Sequence, residues 1–225
     1  MTPRRARRTV LTAARRLIRL EGRTAASLLL WPTGRRHGVG DGDRAFGYLR
    51  GEAPAMLAML SVLVAEGAAM AFLIPWPVVH LTALALHILL VVQVLGSVAA
   101  GVTRPHVLSA TELRVRYGAA FDLRIPLHLI TEVRLDRRVH DGGTVRLDGG
   151  RVNVIVSSMT SVTVELAEPV AVTRPLGRTG TASLVRLHAD APQELVRELE
   201  ARLLAVRHRG VPVAGDPASD HPRAR

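Results

Sequence analysis

Residues 53–101 read APAMLAMLSVLVAEGAAMAFLI, then PWP, then VVHLTALALHILLVVQVLGSVAAG. Two apolar runs, 53–74 and 78–101, meet at Pro75-Trp76-Pro77. A helix needs about 20 apolar residues to cross a hydrocarbon core. The runs therefore predict a transmembrane helical hairpin with a turn too short to hold a domain. Orientation follows from arginine. Residues 1–52 carry twelve arginines against four acids, Arg104 follows the second run, and the turn has no charge. Basic flanks stay on the cytoplasmic side, so both termini are expected inside. A cleavable signal peptide is not expected, because no short apolar core precedes the first run.

Outward from the hairpin, residues 1–52 are polar and basic. Arg4, Arg5, Arg7, Arg8, Arg15, Arg16, Arg19 and Arg23 surround a helical stripe of Val10, Leu11, Ala14, Leu17 and Ile18. The pattern fits a helix lying among headgroups or a disordered basic tail. Leu28, Leu29, Leu30 and Trp31 would add an interfacial anchor. Arg4, Arg5, Arg7, Arg8, Arg15, Arg16 and Arg104 are the candidates for contact with anionic lipid headgroups. The chain has 30 basic residues, all arginine, against 19 acids, and a formal charge of +11. With a hairpin present, membrane lipid is the nearest large anionic surface.

After residue 101 the period changes to two. Leu113, Val115 and Tyr117 alternate with arginines, and so do Leu123 and Ile125. Val152, Val154 and Val156, then Val162, Val164 and Leu166, then Leu184 and His188 repeat the pattern. Alternation of this kind predicts six or seven half-buried antiparallel strands. Turns are expected at Gly118, Asp141-Gly142-Gly143, Asp148-Gly149-Gly150 and Gly177 to Gly180. Asp190 reads as the N-cap of a last helix, with Pro192 in its first turn and a stripe of Leu195, Val196, Leu199, Leu203 and Val206. Residues 210–225 read as a disordered tail. The divisions are then a basic segment 1–52, a hairpin 53–101, a β domain with its helix 102–209, and the tail.

Pro105-His106-Val107-Leu108, Leu113-Arg114-Val115-Arg116-Tyr117-Gly118, and Ile125-Pro126-Leu127 with Ile130 and Val133 follow one another in order. Glu165 to Val170 and Asp190-Ala191-Pro192 come later. This order resembles the membrane-anchored bacterial PH-like proteins of actinobacteria, over residues 53–205. The resemblance implies an α+β membrane protein, a two-helix hairpin followed by a PH-like antiparallel β domain with a C-terminal amphipathic helix. It implies no catalytic residue.

Chemistry is sparse. There is no cysteine, which removes disulfides and thiol nucleophiles. Glu66 stands out, because a carboxylate inside a span costs several kcal/mol unless it is paired, neutral or in water. Glu66 and His87 both lie about 12–14 Å below the turn at about 1.5 Å per residue, so a hydrogen bond between them is expected. Such a pair fixes helix register; a proton path or a metal site are the sharper alternatives, and one carboxylate with one or two imidazoles is a thin ligand set. Small residues at Ala65 and Ala69, Gly67 and Ala71, and Gly96 and Ala100 permit close helix approach and a homo-oligomer.

Gly38 to Gly42 lacks the Lys-Ser/Thr of a phosphate loop, and Ser157-Ser158 lacks a nucleophile elbow. From residue 101 on, 18 arginines face 14 acids with Tyr117 and Phe121 the only aromatics, so nucleic acid is not an expected partner. The sequence thus points to a non-catalytic, membrane-tethered interaction module without metal or cofactor. It would bind a protein partner or anionic headgroups. The alternative is a subunit of a larger membrane complex working through Glu66 and His87.

Overall fold

The computed structural model describes residues 20–34, 36–73, 75–175 and 179–208. Residues 20–30 form helix α1, which ends in a 3-10 turn at Trp31–Thr33 with Gly34 left-handed, φ 65°. A three-residue strand β1, Arg44–Phe46, follows. Two long helices come next, α2 (Ala53–Leu73) and α3 (Pro77–Thr103). Both are long and apolar enough to cross a membrane, and their most apolar stretches hold almost no buried residue. Leucine and alanine, both good helix formers, recur through each, and Pro77 sits in the first turn of α3, where no backbone donor is missed. At about 1.5 Å per residue α3 exceeds α2 by about 9 Å. The last eight residues of α3 hold its buried ones: Gly96, Ala99, Ala100, Gly101 and Thr103.

The β domain follows with β2 (His106–Leu108), β3 (Glu112–Tyr117), β4 (Phe121–Pro126), β5 (Ile130–Val139), β6 (Val145–Asp148), β7 (Arg151–Val154), β8 (Met159–Thr173) and β9 (Thr179–Leu187). Helix α4, Pro192–His208, closes it. One sheet has the order β1-β2-β3-β4, the other β5-β8-β9-β7-β6. All pairs are antiparallel except β7 with β9. Alternation works as expected: in β4, Phe121, Leu123 and Ile125 point into the core while Asp122 and Arg124 point out. Both sheets share one core with α4, which contributes Leu195, Val196, Leu199 and Leu203.

Three features differ from the sequence reading. The first is that residue 52 is not a boundary. β1 precedes the helical pair and β2 follows it, yet they pair directly, Arg44 with Leu108 and Phe46 with His106. The helical pair is therefore an insertion at one edge of the sheet, and residues 44–46 belong to the β domain. Second, β5 escaped the alternation test because its ladder with β8 shifts register between Ile130 and Glu132 and again between Leu135 and Arg138. Each bulge resets the period of two. Third, Asp190 does not cap α4 with its side chain. Its Oδ1 accepts the Arg50 N–H at 2.9 Å instead.

The glycine turns at Gly118, Gly142-Gly143 and Gly149-Gly150 all have positive φ. Residues 176–178 and 209–225, with the expected turn at Gly177 and the tail, lie outside the described residues, as do residues 1–19.

Ser157 and Ser158 close a two-residue hairpin between Val156 and Met159, with φ of 50° and 59°. A left-handed L-residue costs about 1–2 kcal/mol, and this turn type favours Asn-Gly. Ser157→Asn with Ser158→Gly is expected to raise stability by about 1 kcal/mol. The unfolding midpoint of the full chain in detergent, wild type against variant, checks it.

Candidate site at the base of the helical pair

Loop 47–52, which leads into α2, is tied to three places in the β domain. The Asp190 N–H donates to Gly47 O at 2.8 Å, and Arg50 N–H donates to Asp190 Oδ1. The Ser157 N–H donates to Glu52 Oε1 at 3.1 Å. The Gly118 N–H donates to the Tyr48 hydroxyl at 2.7 Å. Between these ties Leu49 presses on Gly101 of α3, so closely that a Cβ there would collide with the leucine methyl. Glycine at 101 is what lets the loop wedge between the helix bases.

Behind Tyr48 lies a buried imidazole. His106 has no exposure and sits 4.8 Å, ring to ring, from Tyr48. Its Nδ1 accepts the Arg116 N–H at 3.0 Å, so Nε2 carries the proton and donates to His188 O at 2.8 Å. Burial pushes His106 down to about 4, with the His188 carbonyl opposing it and nearby His188 and Arg116 adding to it. The ring is a neutral strut joining β2, β3 and the end of β9.

Beside it is a cationic cluster around one acid. Arg114 grips Asp122 with two hydrogen bonds, 2.7 and 2.5 Å. Arg116 and Arg23 lie 3.9 and 3.8 Å from the same carboxylate. Arg116 is 2% exposed, donates from Nη1 to His37 O at 2.7 Å, and keeps Nη2 buried without a partner. Gly38, φ 67°, covers that nitrogen at a range no side chain would allow. Burial lowers Arg116 to about 10, and the neighbouring Arg114 adds to this. Burial raises Asp122, but the Arg114 hydrogen bonds and the surrounding guanidiniums outweigh it and hold the carboxyl below its usual range.

A cleft of about 520 Å³ opens where loop 47–50 meets the two helices. Leu57 and Leu60 of α2 and Val94, Val98 and Val102 of α3 make its apolar walls. Arg36, Arg50, Trp31 and Asp190 line it as well. The hydrogen-bond and ion-pair partners among the described residues leave both the Arg36 and Arg50 guanidiniums unpaired. A smaller cavity, about 200 Å³, lies on the other side of Leu49, between α1, α3 and Tyr117.

The expected site residues fall as follows. Arg104 is 5% exposed, with Nε donating to Ser27 Oγ at 3.1 Å and Nη2 to Arg23 O at 3.4 Å. It fastens α1 to the end of α3 and is not available to a headgroup. Helix α1 runs along α3, not apart from it: Thr24 packs on Gly96 and Gln93 donates to Glu21 at 3.3 Å. Arg4, Arg5, Arg7, Arg8, Arg15 and Arg16 lie outside the described residues. Glu66 and His87 are neighbours in height, but His87 stacks its ring on Gly67, and no hydrogen bond or ion pair among the described residues joins it to Glu66. Glu66 faces outward. Among the described residues no group of three His, Asp or Glu could hold a metal ion.

Arg36 and Arg50 carried no sequence signal that set them apart from the other arginines. Only the fold selects them. Compared with protein-family models, with curated proteins and with solved structures, the chain matches none of them.

Proposed function

We propose that the chain is a two-span inner-membrane protein with both termini cytoplasmic. Its β domain is PH-like and works as a non-catalytic interaction module held at the inner leaflet, where it binds a protein partner or anionic headgroups. One observation carries the reading: the two apolar helices are inserted between adjacent, directly paired strands. A domain joined by a flexible linker would swing freely. Here the sheet edge itself grips both helix ends, so one fixed face of the domain meets the leaflet. Arginines on the domain side of the helices and none at the turn fit the cytoplasmic assignment. The polar clusters serve structure: both His106 nitrogens and the Asp122 carboxylate have protein partners.

A second reading keeps one support. Glu66 faces outward in the middle of α2 with no partner in its own chain among the described residues, and an unpaired carboxylate in lipid is costly. A second copy or another membrane protein would answer that cost, as in a larger complex.

Alkaline carbonate washing of membranes that contain the full chain tests the tether. The protein is expected to stay in the pellet; release into the wash overturns the reading.

A further inference from the structure

We infer that the cleft at the helix base is a binding site for one anionic glycerophospholipid, its phosphate held between Arg36 and Arg50 and its glycerol end seated against Leu57, Leu60, Val94 and Val98. This deepens the proposed function and rests on its membrane placement. The cleft has the two-faced chemistry of an amphiphile. Its lining includes aliphatic residues of the two long helices together with Trp31, Arg36 and Arg50, whose two guanidiniums have no partner among the described residues. Its volume of about 520 Å³ falls within the roughly 300–1,000 Å³ of small-molecule sites. That room takes the glycerol end of a lipid, with the chains continuing along the exposed faces of α2 and α3.

Its height also fits. The walls come from the first two turns of α2 and the last three of α3, where the spans meet the β domain. The charges select the headgroup. Arg36 and Arg50 are offset in part by Asp190, whose Oδ1 is turned to the Arg50 backbone. A single phosphodiester brings the mouth to neutrality, whereas the added ammonium of a zwitterionic lipid would face two guanidiniums. Guanidinium forks also suit phosphate oxygens geometrically.

The test uses the full chain in a mild neutral detergent, with equal phosphatidylglycerol and phosphatidylcholine added, read by native mass spectrometry. Wild type is expected to retain one phosphatidylglycerol in preference to phosphatidylcholine. Arg36→Gln with Arg50→Gln is expected to lose that preference by about tenfold, the loss of charge-assisted phosphate hydrogen bonds. Its unfolding midpoint without added lipid should match wild type, since neither guanidinium has a protein partner among the described residues. Val98→Trp, which fills the apolar wall and leaves the charges, should weaken retention of both lipids. Arg124→Gln, remote on β4, should change nothing.

Equal retention of phosphatidylglycerol by wild type and the double variant overturns the inference, and so does a tightly bound protein that occupies the cleft and excludes lipid. If the chain resists carbonate but shows no such preference, the lipid site alone fails and the tether stands. If it washes off, the tether itself fails.

Discussion

Replacing His106 with leucine is expected to lower the stability of the β domain by about 3 kcal/mol or more. Leucine fills the volume but leaves the Arg116 N–H and the His188 carbonyl buried without partners, and each orphan costs about 1–3 kcal/mol. The variant also changes the response to acid. The folded-state value of about 4 lies below the ordinary histidine value of about 6.5. The unfolded chain therefore binds a proton first. Stability from this group is complete above about 6.5, falls as the pH drops, and is lost in full below about 4, a span worth about 3 kcal/mol. Wild type in detergent should show a falling unfolding midpoint across that window. His106→Leu should be less stable at pH 7.5 and flatter across the window. A leucine variant that matches wild type at neutral pH would refute the strut.

The second large effect is at Asp122. Asparagine there removes the only carboxylate within 4 Å of Arg23, Arg114 and Arg116 among the described residues. The side chain is 23% exposed, so water softens the loss, and about 2–3 kcal/mol is expected, below the roughly 3–5 for a fully buried pair. The guanidiniums would then repel one another beneath the Gly38 loop. Asp122→Asn should therefore loosen residues 36–40 first, read as faster backbone hydrogen exchange there than in β8 or β9. Because Asp122 sits below its usual range, its contribution is present above the ordinary aspartate value and is lost as the pH falls through the folded one. That window lies under the one for His106, so the two variants separate on the pH axis. Unchanged stability and unchanged exchange in Asp122→Asn would mean that the arginine cluster needs no acid.

What could be seen from sequence follows the range of the forces. The helical pair was legible because apolarity on every side of a helix, kept up over twenty and more residues, is a signal carried by the local sequence alone. Strands β3, β4, β7 and β8 were legible where alternation runs unbroken, as at Leu113, Val115 and Tyr117; in β9 the pattern was taken from Leu184 and His188, whereas Val185 and Leu187, of the opposite parity, are the pair buried in the core. β1 was not, because Arg-Ala-Phe is too short to show a period and its partner lies beyond the whole insertion. Asp190 looked like a helix cap because its neighbours fit that role, but a backbone N–H from residue 50 reached it first. The same distance hid the site. Arg104 was marked by its place beside α3, and that same place buried it against Ser27. Arg36 and Arg50 gain meaning only when loop 47–50 folds over the helix bases. Helix rise puts Glu66 and His87 near one height, but rotation about the helix axes turns His87 onto Gly67.

A sheet that grips both base ends of a membrane hairpin holds residues 41 and 181 on one side of the membrane and the turn on the other, and site-directed labelling tests this most directly. The chain has no cysteine, so single cysteines at Asp41, Trp76 and Thr181 give clean reporters. In intact spheroplasts a membrane-impermeant maleimide should label position 76 only; after permeabilisation it should label positions 41 and 181 as well. Labelling of 41 and 181 from opposite faces, or of 76 and 181 from the same face, would contradict it.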